Sequence, residues 1–548
     1  MQIQDQRWAK LLLASAFIIY LFSLANQIQE VDPAQYAEIS REMVESKDWL
    51  TLHDNYGPYL DKPPMTMWMI AACFKAFGVS DFSCRLPTII CAMLSVFLIG
   101  RIAQILYDRS RAILAMLILA SSEAVVIMVA DPKIDMVLTF LLCAAFWAYF
   151  ESRTRPEFIR LFYLFTGLGV MTKGPIAICI PALAIGCEWL FLRDPKKLWR
   201  MKPVSGLIIL ALTIIPWHLV LYEEQGIKAT YFMLFAQSFG RLVIRDFKNS
   251  TTPFYFMHTF FWAFLPWSLA CLFAAASGIT QWWKSKDRFQ YNPRRVLVWW
   301  FALPFMFISA SSYKLPQYLF WLLPPLAILL SDFFIALPRN LSPKLTRALT
   351  NTQVAVGAGC LLAAVIMPAV AFPLQKSWLW GLLLAGVMGI SIIPWYKSTF
   401  LQKAVLWPAS AALFMNLVFV IHVYPEAVKF QYSQAAAHVL NQEDPAGRVA
   451  YTYKLKTKKA YAFHAQRQVL PVSIQFITDA VNQKGKVLVL TKQAGLDDLR
   501  ALEGKDNIKV ETLAEFADFH TSIPTLKFIL AKTRPRAVDK VMLLRVSR

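Results

Sequence analysis

Residues 86–107 read LPTIICAMLSVFLIGRIAQILY, a run with one charge that is long enough to cross a hydrocarbon core of about 30 Å as a helix. Asp108-Arg109-Ser110-Arg111 and a further apolar run follow at once, so the chain turns back into the same apolar phase. Extending the pattern outward gives thirteen candidate spans: 11–26, 86–107, 112–129, 136–151, 161–172, 174–192, 204–222, 254–279, 296–310, 317–336, 353–373, 377–394 and 404–423. The 548 residues are 57% hydrophobic and 14% aromatic, and the mean hydropathy is +0.45. These values exclude a soluble protein of this length and define a polytopic α-helical membrane protein.

Basic residues set the orientation. With Arg7 and Lys10 inside, the alternate links carry Arg109/Arg111, Arg153/Arg155/Arg160, Arg193/Lys196/Lys197/Arg200/Lys202, Lys284/Lys286/Arg288/Arg294/Arg295, Arg339/Lys344/Arg347 and Lys397/Lys403. The odd number of spans places the tail from 425 onward outside, in the periplasm if the source is a Gram-negative bacterium. The net charge of +21 is thus largely topological, and no nucleic-acid partner is expected. The first apolar run follows a short basic end and has no small-residue cleavage site after it, which fits a retained signal anchor. All eight cysteines lie in or near the apolar part without paired spacing, so neither a zinc site nor a disulfide framework is expected.

The organisation expected is a catalytic membrane domain over 1–424, with outer interfacial loops 27–85 and 223–253, and an outer α/β accessory domain over 425–548. In the first loop, Tyr36, Ile39, Met43 and Val44 recur at helical spacing, which predicts an interfacial amphipathic helix. The second loop mixes aromatics with Arg241, Arg245 and Lys248 and is too interrupted by charge to span. In the tail, RVAYTYK, KVLVLT, LKFILA and KVMLLRV read as strands, and SQAAAHVL and GLDDLRALE as helices.

Three outer-face segments share one pattern: Lys62-Pro63-Pro64, Lys173-Gly174-Pro175 and Lys314-Leu315-Pro316, each before an apolar helix. Proline suits a first helical turn, so each lysine is expected beside backbone N–H groups that favour an anion, with a phosphate as the natural ligand. The plainer alternative is a snorkelling interfacial lysine. Asp32 follows the first span. Asp131-Pro132-Lys133-Ile134-Asp135 opens the fourth; Asp131 reads as a helix N-cap, whereas Asp135 lies a turn deeper and requires a partner or a polar cavity. Glu123 follows the same logic. Tyr59, Tyr313 and Tyr318 supply hydroxyls near the lysines. His53, His218 and His258 lack metal-ligand spacing, and a divalent metal stays open as a cofactor.

The ordered set YAEISREM, DWLT, YLDKPP, RLP, DPKID, MTKGP and SSYKLPQY resembles the bacterial GT-C membrane glycosyltransferases related to protein O-mannosyltransferases, in particular the lipid A aminoarabinose transferases. The resemblance covers the whole chain. It implies catalytic roles for Asp32 and Asp135, donor-phosphate contacts from Lys62, Arg241, Tyr318 and Tyr59, and further substrate contacts from Asp61, Lys173, Lys314 and Arg245. The chain also departs from the family. Asp32-Pro33-Ala34-Gln35-Tyr36 lacks a neighbouring acid and arginine, Asp61 stands for a glutamate, and Ser238 for a metal-binding histidine, so the metal and the sugar stay open.

The activity implied is inverting transfer of a sugar, such as 4-amino-4-deoxy-L-arabinose or a related amino or acidic sugar, from undecaprenyl phosphate to lipid A or another lipopolysaccharide group. The enzyme is expected to act as a monomer in the bilayer of the bacterial inner membrane, with its site facing the periplasm. Two alternatives stay open: the same chemistry on protein or core oligosaccharide, and a lipid-sugar flippase. A transporter places ionisable groups near the midplane, whereas Asp32, Lys62, Asp135, Lys173 and Lys314 fall at the outer rim, which favours an enzyme.

Overall fold

The computed structural model describes residues 1–54, 57–192, 199–240, 252–284, 292–340, 342–392, 399–456, 458–503, 508–519 and 525–548. Helix α1 (Ile3–Phe22) leads into the first loop, which contains α2 (Asp32–Ser46), the short hairpin of β1 (His53–Asp54) and β2 (Gly57–Pro58), and α3 (Met65–Phe77). The bundle continues through α4 (Asp81–Leu106), α5 (Arg109–Ala120), α6 (Glu123–Ala130), α7 (Ile134–Glu151), α8 (Ile159–Lys173) and α9 (Ile176–Leu192). Among the described residues, six helices are long and apolar enough to cross a membrane, or up to nine if each of three bent pairs counts as one span. The helices Ile176–Leu190 and Ser377–Ile392 are apolar but shorter.

Three segments that read as single spans are bent. The run 112–129 breaks by 53° between α5 and α6, 254–279 by 112° between Tyr255–Ala263 and Ser268–Gly278, and 317–336 by 52° between Pro316–Leu322 and Pro324–Ala336. A break in apolar surroundings requires other partners for the freed backbone groups. Ser121 and Ser122 donate their hydroxyls to the carbonyls of Leu117 and Leu119, both at 2.7 Å. The first two breaks also bind each other: the Glu123 N–H donates to the Leu265 carbonyl at 3.1 Å, and Trp267 Nε1 to Ser121 Oγ at 3.2 Å. Each break therefore supplies partners that the other lacks.

Helix α7 is the centre of the bundle, with 89% of its apolar window buried, against 22% for the peripheral helix beginning at Pro203. Its Phe146 stacks on Trp300 at 3.8 Å between ring centroids. The second loop begins inside a helix, since Pro203–Tyr231 runs on through 223–231 past a turn at Gly226 with φ 75°.

From Tyr432 onward the chain builds a five-stranded sheet from β3 (Val449–Tyr453), β4 (Gln468–Pro471), β5 (Lys486–Lys492), β6 (Lys509–Asp518) and β7 (Asp539–Ser547), in the order β4-β3-β5-β7-β6. The β3 pairs are parallel and the β7 pairs antiparallel. The apolar run LKFILA, read as a strand, forms instead the helical turn Leu526–Ile529, because Thr525 caps it and Phe528 stacks on Phe519 at 3.8 Å. Strand β6 escapes sequence reading because Glu511, Glu515 and Asp518 make it look like a solvated segment.

The sheet region is fastened to the first loop. Helix Lys459–Ala465 contributes Ala460 and Phe463 to a core that also holds Ile28, Tyr36, Met43 and Met67. Phe463 stacks on Phe74 at 6.0 Å. The Glu30 carboxylate accepts from the N–H groups of Lys459 and Ala460, each at 2.8 Å, and so caps that helix from the first loop.

Candidate active site

The site is assembled where α2, α3, the α6–α7 turn and the end of α8 meet. Asp32 is the first residue of α2. Its carboxylate lies 3.9 Å from the Lys133 ammonium, which also binds Asp131 at 3.1 Å. Asp131 is not the N-cap of α7. It ends α6 as the C-cap, and Lys133 is the residue that precedes α7. The capping reading of Asp131 is therefore corrected: one of its carboxylate oxygens faces Lys133, and the other, Oδ1, is buried with no hydrogen-bond partner among the described residues. Burial opposes the charge on Lys133, but Asp131, Asp32 and Asp135 outweigh it and raise its pKa.

Asp135, in the first turn of α7, is buried and pairs with Lys173. The same oxygen accepts from Trp321 Nε1 at 3.2 Å. Lys173 stands 4.4 Å from the centre of the Tyr318 ring, a cation–π contact. It is the last residue of α8, with Gly174 (φ 82°) turning the chain before α9, so it lies at a helix C-terminus rather than at the anion-favouring start expected from its proline. Lys314 is buried just before the turn Pro316–Leu322. Lys62 precedes α3 and donates to the Asp61 carbonyl at 2.8 Å. The Asp61 carboxylate accepts from Gln237 Nε2 at 2.8 Å. Arg241 and Arg245 lie outside the described residues.

Tyr36 joins these groups. Burial raises its pKa first, and the carboxylates of Asp32 and Asp135 add to the shift. By sequence it is one member of an apolar stripe, and the only clue to its role is a hydroxyl among Ile39 and Met43. Arg85, of the RLP element, is completely buried and acts on the backbone: it donates to the carbonyls of Asn26 at 2.8 Å, Gln27 and Ala130. It thereby ties the approach to Asp32 to the helix end that carries Asp131. Among the described residues, no three His, Cys, Asp or Glu side chains converge as a metal site.

Residues 61–220, which contain most of these elements, match the family described as dolichyl-phosphate-mannose-protein mannosyltransferase. The undecaprenyl phosphate-alpha-4-amino-4-deoxy-L-arabinose arabinosyl transferase 2 of Proteus mirabilis is 28% identical over 423 residues, 74% of each chain. The transferase of the same name from Pseudomonas savastanoi is 30% identical over 59% of this chain and 61% of its own. The crystal structure of ArnT from Cupriavidus metallidurans bound to undecaprenyl phosphate superposes with a TM-score of 0.75 at 19% identity, covering 98% of both chains. The chain shares the fold of that ArnT structure and is similar in sequence to the aminoarabinose transferases.

Within this fold, the structure brings Lys133 between Asp32 and Asp131, and Lys173 onto Asp135 beside Tyr318. Asp131, Lys133, Tyr36 and Arg85 are the additions that sequence reading did not rank among the site residues. Only Asp131 and Lys133 carried a signal, as charged neighbours of Asp135 within one turn.

Proposed function

We propose that this chain transfers 4-amino-4-deoxy-L-arabinose, or a related amino or acidic sugar, from undecaprenyl phosphate to lipid A or another lipopolysaccharide group. The observation that carries the reading is the Asp32–Lys133–Asp131 group beside the Asp135–Lys173–Tyr318 group, in a chain whose relatives are named undecaprenyl phosphate-alpha-4-amino-4-deoxy-L-arabinose arabinosyl transferases. Thirteen spans, a site on the periplasmic face of the inner membrane, a monomer, and an outer domain over 425–548 complete the proposal.

The chemistry follows from the charges. The bond between the anomeric carbon and the phosphate oxygen breaks, and the polyprenyl phosphate leaves with the electron pair. Lys62, Arg241, Tyr59 and Tyr318 take the roles of neutralising that phosphate, the task of preorganised donors in a water-poor site. Asp135 holds Lys173 over Tyr318 and so fixes both beside the leaving group. Asp32 and Asp131, kept close by Lys133, present carboxylate oxygens to the sugar or to the acceptor. A phosphate acceptor is already nucleophilic and attacks directly, which inverts the anomeric carbon. A hydroxyl acceptor on protein or core sugar, the reading favoured by the mannosyltransferase match, instead requires Asp32 or Asp131 as general base.

Mass spectrometry of lipid A, core oligosaccharide and envelope protein from cells with and without the gene separates these readings. A fixed mass increment on lipid A is expected. An increment confined to protein or core moves the acceptor, and no increment on any fraction overturns the transferase reading.

A further inference from the structure

A cavity of about 490 Å³ opens between the C-terminal half of α2 and the sheet region, on the far part of the helix that begins at Asp32. Its volume lies in the range of small-ligand sites, roughly 300–1,000 Å³. Arg41, Glu42 and Asp54 line it from the first loop, and Arg448, Arg467 and Gln468 from the sheet region. Most of these charges are already engaged. Arg41 is held by Glu38 at 2.6 Å and by Glu45. Asp54 accepts from Lys459 at 2.9 Å and from Gln35 at 3.0 Å, and Arg467 pairs with Asp444 at 3.2 Å. The chain passes so close at Gly447 that a Cβ there would overlap both members of the Arg467–Asp444 pair, so a side chain at this position would force that pair to shift.

Two charged groups of the lining make no side-chain hydrogen bond or ion pair among the described residues: the Glu42 carboxyl, half-buried on α2, and the exposed Arg448 guanidinium on the opposing segment. A guanidinium with an open fork is suited to a phosphate, and a carboxyl facing it is suited to hydroxyl or amine groups on the same ligand. Glu42 lies ten residues beyond Asp32 on one helix, a separation of about 15 Å. A ligand that fills the cavity is therefore well placed to extend toward Asp32. Burial, with Glu38 and Asp54 nearby and Arg41 and Lys459 opposing them, brings the Glu42 carboxyl up to about 7, so near neutrality it both donates and accepts.

We propose that this cavity holds a phosphorylated saccharide, the end of the acceptor headgroup remote from the reaction, with its phosphate on Arg448 and a ring hydroxyl or amine on Glu42. The proposal rests on the reading that the acceptor is a lipopolysaccharide lipid. Contacts made far from the reacting atom serve to orient the near end, which is how remote binding energy contributes to transfer.

Binding of bisphosphorylated lipid A and of undecaprenyl phosphate to the detergent-purified full chain, each measured directly, tests it. Arg448→Ala should weaken lipid A binding about tenfold or more, as loss of a charge-assisted hydrogen bond does, and Glu42→Gln by a smaller factor, with undecaprenyl phosphate binding unchanged in both. Unchanged lipid A affinity in both variants overturns the cavity assignment and leaves the transferase reading intact. A wild-type chain that binds undecaprenyl phosphate but not lipid A overturns the acceptor reading and this proposal with it.

Discussion

Two acid–lysine groups are built on the turn from Asp131 to Asp135 and differ in kind. Asp135 and Lys173 form a closed, buried pair, completed by the Trp321 N–H and the Tyr318 ring. Lys133, by contrast, is shared between Asp131 and a half-exposed Asp32, and one oxygen of Asp131 is left unmet. A closed pair holds structure, whereas the incomplete one leaves the half-exposed Asp32 carboxylate accessible to a substrate. On this contrast we propose positioning for the first group and substrate contact for the second.

The largest effect expected is on the closed pair. Lys173→Met or Asp135→Asn alone should destabilise the protein by about 3–5 kcal/mol, because a buried charge loses its partner, while the double variant should recover much of that loss. Thermal unfolding in detergent measures it; single and double variants that melt together would show that the pair is not structural. Next come the donor-phosphate groups. Lys62→Ala and Arg241→Ala should each cost about 2–4 kcal/mol in transfer, read as kcat/KM, with the protein still reaching the membrane, and Lys284→Ala should be silent. Near-normal turnover in both would remove the donor site from this face.

Asp32→Asn and Asp131→Asn sharpen the same contrast. Each keeps shape and loses charge, so each should lower turnover by about 10²-fold with little change in melting temperature. An active Asp131→Asn enzyme would return Asp131 to a purely local role. Removal of 430–548 tests how far the sheet region is separable: because Phe463 and the helix capped by Glu30 complete the first-loop core, the truncated chain should melt earlier and bind undecaprenyl phosphate more weakly. A truncation with unaltered melting and donor binding would make the sheet region an independent cover.

The smallest effect concerns Glu42, whose pKa in the folded protein is about 7, above its ordinary value of 4.5, through burial and the carboxylates of Glu38 and Asp54, with Arg41 and Lys459 opposing. An acid raised on folding binds its proton more tightly in the native state. Its contribution to stability is therefore complete below about pH 4.5 and is lost as pH rises through 7. Glu42→Gln should flatten this part of the melting-temperature profile, and an identical profile would place the titration elsewhere.

Apolar run lengths and the alternation of basic links were legible in the sequence because membrane insertion selects on local hydropathy and charge, which need no partner to be read. So was the need of Asp135 for a counter-charge, although not that Lys173, thirty-eight residues on, would supply it. The bends at 120–123 and 264–267 were hidden, because each is satisfied by a partner from the other break. Arg85, which the sequence offered only as part of the RLP element, is a clamp on three carbonyls that meet only in the folded bundle. Local sequence thus determined which segments are apolar, which links are basic and which residue types are available. Tertiary structure alone decided which charges neutralise one another and which stay open, because electrostatic pairing depends on distances across the bundle that no spacing along the chain encodes.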